Sequence, residues 1–189
     1  MSSFDRPSDP DIPASAWVTR FTSLIRTGGR VLDLAAGHGR HTRYLLGEGY
    51  EVTAVDIDAS GLSDLSGCED LTVLEVDMEG GAWPFPANTF DGIVMTNYLH
   101  RPHFPFLAKA LTADGVLLIE TFGEGNEKLG RPRNPDFLLQ PGELLNAFAG
   151  TLVIVAYEHG VEERPRPAVR QRLCATKATA PVSLGRFVD

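Results

Sequence analysis

The chain has 189 residues, with 17 Lys plus Arg against 25 Asp plus Glu and a net charge of −8. One domain is the natural reading of that length, and a chain of this size buries roughly 70% of its unfolded surface. An acidic balance repels phosphate backbones and disfavours nucleic acid as a general partner.

The chain opens on "MSSFDRPSDPDIPAS", whose first 13 residues, rich in Pro, Ser and Asp, read as a flexible arm. This segment has no basic start and no apolar stretch of the kind a secretory leader carries, so none is expected. No apolar run of 18 residues suggests a membrane span, and the expected location is cytoplasmic. The remainder, 14–189, reads as a single domain. In "ASAWVTRFTSLIR" the spacing of Trp17, Phe21, Leu24 and Ile25 puts one apolar face on a helix, ended at Thr27-Gly28-Gly29.

Strands and helices then alternate. "RVLDLAA" reads as a strand, "GRHTRYLLGEG" as a helix, "YEVTAVD" as a strand, "ASGLSDLSG" as a short helix and "LTVLEVD" as a third strand. After the loop "MEGGAWPFPANT", "FDGIVMTN" is a strand. A helix broken up by prolines at its start follows in "RPHFPFLAKALTADG", then the strand "VLLIETFG". Residues Gly123 to Pro135 form a loop too long for a plain connection, of the length often used as a lid or binding loop. "PGELLNAFAG" is a helix with Pro141 suited to its first turn. "TLVIVAYEHG" and "PAVRQRLCATKA" close the chain as two strands. The alternation implies an α/β fold with a parallel sheet covered by helices on both faces. The last two strands have only "VEERPRP" between them and should pair antiparallel. Cys68 and Cys174 are too few for a disulfide framework and wrongly spaced for zinc, so no metal is expected.

In an open α/β sheet, ligands sit beyond the carboxyl ends of the strands. Gly37 and Gly39 fall there, where missing side chains let the backbone approach a ligand and the next helix offers free amides. A dinucleotide turn needs G-x-G-x-x-G, but the string Gly37-His38-Gly39-Arg40-His41-Thr42 has Thr as its third member. The phosphate cradle G-x-x-x-x-G-K-[ST] is absent. Asp33, inside the preceding strand, would repel a pyrophosphate and suits a ligand with a positive centre. Asp56 ends the second strand, 17 residues beyond Gly39, where an acid can accept both ribose hydroxyls. Asp58 is better placed than Asp56 to cap the following helix. Asp77 follows the third strand, where it can accept from an adenine amine, with Ile57 and Met78 suited to sandwich the ring. Three acids on successive strand ends fit a cationic nucleoside without phosphate. Asp33 can instead bond within the turn, and Asp77 can be a plain turn residue.

These segments resemble the class I S-adenosylmethionine-dependent methyltransferases over roughly residues 29 to 160. "VLDLAAGHGR" resembles their first motif, "AVDID" the second, "VDMEGGAWPFPANTFDGIV" the third and fourth, and "LTADGVLLIETF" their fifth strand. The family pattern usually begins its turn with Gly where this chain has Ala35, beside the cofactor's carboxylate end. The resemblance implies a Rossmann-like, doubly wound seven-stranded sheet in the order 3-2-1-4-5-7-6, with strand 7 antiparallel, and S-adenosylmethionine as cofactor.

The segment "TNYLHRPH" at the end of the fourth strand faces the expected methyl-transfer site. Asn97 is suited to the cofactor's amino-acid end, and Tyr98 and His100 to the acceptor, with His as a general base. The plainer reading packs this segment at a helix start, with the histidines on its surface. Tyr98 and Phe122 are candidate aromatic faces for a sulfonium. Trp17 and Phe21 either cover the pocket or pack on the sheet. Arg164, Arg166, Arg170 and Arg172 read either as an anion contact or, preferably, as the solvated face of an edge strand.

The expected activity is in-line transfer of a methyl group to a small-molecule or oxyanion acceptor. Nucleic-acid amino methyltransferases carry Asn/Asp-Pro-Pro-aromatic where this chain reads Thr96-Asn97-Tyr98-Leu99. A looser similarity links the chain to the tellurite-resistance methyltransferases, which act on metalloid oxyanions, with a departure at "RPRNPDFLLQPGELL". No membrane partner is expected, and the chain reads as a monomer or homodimer. A catalytically silent cofactor-binding subunit is the alternative. A nicotinamide oxidoreductase is disfavoured by Thr42 and Asp33.

Overall fold

The structure, a computed structural model, describes residues 12–184. Its sheet is built outward from β1 (Arg30–Leu34), which pairs in parallel with β2 (Glu51–Asp56) on one side and β4 (Phe90–Thr96) on the other. β3 (Leu71–Glu75) extends the sheet beyond β2. β5 (Leu111–Phe122) pairs in parallel with β4, Thr96 lying opposite Glu120. β7 (Ala168–Thr176) runs antiparallel between β5 and β6 (Val153–Glu162). The order is therefore β3-β2-β1-β4-β5-β7-β6, as the sequence led us to expect. The same order corrects another sequence expectation. β7 is an interior strand, so Arg170 and Arg172 do not form the solvated face of an edge.

Side chains alternate across the sheet, as the two-residue period of a strand requires. Val31, Val94, Val116, Leu118 and Cys174 face one side, with Trp17, Val18, Phe21 and Leu45 packed on them from α1 (Ala16–Phe21) and α2 (Arg40–Gly47). Leu32, Ile93, Leu117, Ile119 and Leu173 face the other side, under α3 (Phe104–Ala110) and α4 (Glu143–Phe148). Every residue of β4 is buried, which suits the central strand of a sheet covered on both faces. Each fully buried Leu, Ile or Val contributes about 2 kcal/mol of transfer free energy.

Helix α1 is short and continues as a 3-10 turn, Thr22–Leu24. The Ser15 hydroxyl caps it by accepting the Trp17 N–H at 3.2 Å. Trp17 and Phe21 meet edge to face with centroids 4.7 Å apart. Trp17, Phe21 and Ile25 are buried, as their spacing predicted. Gly92 is needed for the next contact, because a β-carbon there would stand 2.5 Å from the Ile25 Cδ1.

Several elements differ from the sequence reading. The short helix after β2 is a 3-10 segment, Ser60–Leu65. β5 starts at Leu111, pairing with Phe90 before a register shift, rather than after Gly115. Pro141 precedes the left-handed N-cap Gly142 of α4 instead of lying in its first turn. The prolines before α3 do break its start, leaving a 3-10 turn at Arg101–His103. The long loop after β5 is tied down by Asn126, whose side chain is buried. Its Nδ2 donates to the Pro132 carbonyl at 3.1 Å and its Oδ1 accepts the Val169 N–H at 3.1 Å. The expected arm falls mostly on residues 1–11, outside the described residues.

Candidate active site

The turn after β1 contains three left-handed residues, Ala35 (φ 59), Gly37 (φ 58) and Gly39 (φ 76). Glycine takes that conformation freely, whereas at Ala35 it costs roughly 1–2 kcal/mol. Backbone bonds fasten the turn to the end of β2: the Ala36 N–H donates to the Val55 carbonyl at 3.0 Å. The Gly37 N–H donates to the Asp56 Oδ2 at 2.7 Å. Gly39 is the N-cap of α2, and a β-carbon on it would run into the Leu62 and Arg43 side chains.

Asp33 lies within β1 and is 1% exposed. Its Oδ2 accepts the Thr42 hydroxyl at 2.6 Å. Thr42 is thus the partner of Asp33, which gives a physical reason for threonine where a dinucleotide turn has glycine. Burial pushes the Asp33 carboxyl up to about 6, against the hydrogen bonds from Thr42 and the charge of Arg40.

Asp56 is buried at the end of β2, where its Oδ1 also accepts the Asp58 N–H at 3.1 Å. It therefore joins the glycine turn to the next loop. Ile57 beside it is 54% exposed. Met78, the other residue expected beside the ring, is 9% exposed. It is buried in the core with Leu34 and Val55, because the chain turns inward after β3. The Asp77 Oδ1 accepts the Glu79 and Gly80 N–H groups at 2.9 and 3.2 Å, so Asp77 shapes its own turn.

Beyond β4, Asn97 takes the left-handed conformation (φ 53), and its N–H donates to the Glu120 carbonyl at 2.8 Å. Tyr98 is half-buried. Burial, then the negative charge of Glu79, raises its phenol above the usual value, so it stays protonated at neutral pH. The His100 Nδ1 is 3.9 Å from the Glu79 Oε2, and its ring centroid is 4.4 Å from that of His103. His103 is buried, with Nε2 bonded to the Met78 carbonyl at 3.0 Å. The segment does start a helix, but His103 is inside rather than on the surface where the packing reading put it. Phe122 already carries the Arg170 guanidinium on one face, 4.0 Å from the ring centroid.

Sequence reasoning missed one network. His41 is 2% exposed, its Nε2 accepts the Ser15 N–H at 3.2 Å, and its Nδ1 lies 3.3 Å from the Thr96 hydroxyl. Burial, then the charge of Arg40, lowers the imidazole to about 3, so it is neutral. The Ser15 hydroxyl donates in turn to the Glu120 Oε2 at 3.0 Å. This chain of contacts anchors the start of α1 to the ends of β4 and β5. Nothing in the helical spacing of "RHTRYLL" marked His41 as an interior group.

Residues 31–113 match the family model for a methyltransferase domain. Over that stretch the chain is similar to S-adenosylmethionine-dependent methyltransferases. A curated relative is the ubiquinone/menaquinone biosynthesis C-methyltransferase UbiE of Pseudomonas savastanoi pv. phaseolicola. It is 33% identical over 122 residues, which are 57% of this chain and 47% of the relative. The chain thus spans about half the length of the curated relatives it matches. Among solved structures, a methyltransferase of Methanosarcina mazei has a TM-score of 0.66 at 15% identity, covering 88% of this chain and 99% of its own. The 1,6-didemethyltoxoflavin-N1-methyltransferase of Burkholderia thailandensis, seen with its substrate and S-adenosylhomocysteine, has a TM-score of 0.64 at 22% identity, with coverages of 86% and 76%. TehB of Haemophilus influenzae has a TM-score of 0.67 at 19% identity, with coverages of 82% and 60%. These three likenesses concern the fold.

The chemistry of the donor set fits the methyltransferase cofactor. The acids Asp33, Asp56 and Asp77 stand on adjacent strand ends, suited to hydroxyls, amines and positive charge. The left-handed glycine turn presents backbone beside them. Among the described residues no helix is long and apolar enough to cross a membrane.

Proposed function

We propose that this chain is a methyltransferase that passes a methyl group to a small-molecule or oxyanion acceptor by in-line displacement. The observation that carries the reading is the bond from the Gly37 N–H to the Asp56 carboxylate, which locks the glycine turn against the acid at the next strand end. S-adenosylmethionine supplies an electrophilic methyl carbon on a positively charged sulfur. The turn from Ala35 to Gly39 would lie against its amino-acid end, with Asn97. Asp56 would accept the ribose hydroxyls, and Asp77 with Ile57 would meet the adenine. Met78 would act through its place in the wall rather than as an open face.

Asp33 contributes negative charge behind the turn, and Thr42 holds that carboxylate in one orientation. Ser15 and His41 keep α1 seated on the sheet and water away from the end of β4. On the acceptor side, Tyr98 can donate a hydrogen bond but cannot act as a base, which leaves His100 as the candidate for that role. Most of the acceleration falls to positioning, since the leaving group is a neutral thioether.

Thermal unfolding with S-adenosylmethionine, S-adenosylhomocysteine, NAD and NADP tests the reading. Either sulfur compound at ~100 times its Kd should add about 2.7 kcal/mol of stability, and the nicotinamide cofactors none. A chain stabilised by NAD and by neither sulfur compound is not a methyltransferase.

A further inference from the structure

Two arginines two residues apart on β7 face the same side of the sheet, yet their surroundings differ. Arg172 is fully engaged. Its Nε donates to the Glu120 Oε2 at 2.6 Å, its Nη2 to the Glu162 Oε1 at 2.6 Å and its Nη1 to the Glu158 Oε2 at 3.3 Å. Arg170 has no such set. Its Nη1 donates to the Asn97 Oδ1 at 2.5 Å, and its guanidinium carbon lies 4.0 Å from the centroid of the Phe122 ring. Its Nε is buried with no hydrogen-bond partner. The nearest carboxylate oxygen, Glu162 Oε2, is 3.6 Å away on a residue that Arg172 already holds.

The Arg170 side chain is 16% exposed, and its Nε is out of reach of water. Arg40, the first residue of α2, is a second half-buried cation on this side. Burial lowers both guanidinium groups from their ordinary value, against the carboxylates of Glu120 and Glu162, while the charges of Arg172 and Arg40 add to the lowering at Arg170. A buried cation without its full complement of acceptors is costly, and an anion that supplied them would be held strongly. The position is the one where a ligand is expected: Arg170 pairs with Phe122 at the carboxyl end of β5 and touches Asn97, the residue after β4.

We propose that Arg170, held by Phe122 and Asn97, anchors a carboxylate or oxyanion of the methyl acceptor. This rests on the methyltransferase reading above and names the substrate class as anionic. The planar fork of arginine suits two-point contact with such a group, which lysine cannot reproduce. The same chemistry is offered by the carboxylate of the cofactor, so the experiment must separate the two sources.

Binding is measured by calorimetry on wild type, R170Q and R170K, with S-adenosylhomocysteine and with 5′-methylthioadenosine, which lacks the carboxylate. The proteins saturated with S-adenosylhomocysteine are then titrated with sodium benzoate, phosphate, sulfate and selenite, using chloride as control. The expected result is S-adenosylhomocysteine affinity within about threefold across the variants. At least one anion should bind wild type about tenfold or more tightly than R170Q, with R170K in between. The proposal is overturned if no anion distinguishes wild type from R170Q. It is also overturned if R170Q loses about tenfold in S-adenosylhomocysteine affinity but keeps that for 5′-methylthioadenosine, which assigns the guanidinium to the cofactor. Retained nucleoside binding shows that the variants are folded. A wild type that binds neither nucleoside refutes the methyltransferase reading itself.

Discussion

Replacing Asp33 by asparagine should stabilise the protein at neutral pH while weakening its hold on a cationic cofactor. The carboxyl is 1% exposed and titrates near 6, against 3.8 for an ordinary aspartate. That difference corresponds to about 3 kcal/mol against the charged form. The native state binds an extra proton between those two values. Its stability therefore falls as pH rises through the window from about 4 to 6 and stays lower above it. The asparagine side chain has no charge to bury, and its amide oxygen can still accept the Thr42 hydroxyl, at a loss of about 1 kcal/mol for the weaker bond. Asp33→Asn should thus be about 2 kcal/mol more stable than wild type at pH 8, and the advantage should be lost as pH falls from about 6 to about 4. Urea unfolding of both proteins from pH 4 to 8, taken as a difference, cancels every other titrating group. A difference that stays flat across pH 4 to 6, or a variant less stable at pH 8, refutes the reasoning. In the same samples, S-adenosylmethionine should lose more affinity than S-adenosylhomocysteine, because only the former carries the sulfonium charge.

Three further outcomes follow from the site. Asp56→Ala removes the acceptor of the Gly37 N–H, and the stabilisation by S-adenosylhomocysteine seen in thermal unfolding should largely disappear. Gly39→Ala combines a left-handed φ with contacts on Leu62 and Arg43, and should cost about 2 kcal/mol in urea unfolding and weaken the nucleoside in calorimetry. His41→Phe leaves the Ser15 N–H and the Thr96 hydroxyl without their partner, at about 2 kcal/mol at pH 8. The folded His41 is depressed to about 3, so its contribution is present above the ordinary histidine value of 6.5 and is lost as pH falls through that window. The gap between wild type and His41→Phe should therefore close near about pH 5, as followed by unfolding across acid pH.

The strand and helix alternation, the sheet order that follows from the family resemblance and the position of the glycine turn were all legible in the sequence. Each rests on local pattern: apolar residues at period two or near 3.6, and glycine where the chain must turn left-handed. The acids at the strand ends were legible for the same reason, since strand boundaries locate them. What those acids touch was not. That Asp33 is held by Thr42, that Met78 turns into the core and that Asp77 caps its own loop depend on how the segments after β1 and β3 fold back on them. The arginines of "VRQRL" show the limit most clearly. By local pattern they belong on a solvated edge, because alternating charge looks the same on any strand. Inserting β7 between β5 and β6 places Arg172 opposite Glu120 and Glu158, and Arg170 opposite Phe122, partners that are far away in sequence. Sequence alone determined the order of the sheet's elements, the family the chain resembles and the end of the sheet where the glycine turn lies. Only the tertiary structure decided which charges are spent on each other and which one is left for a ligand, because that depends on non-local strand pairing and on the burial it imposes.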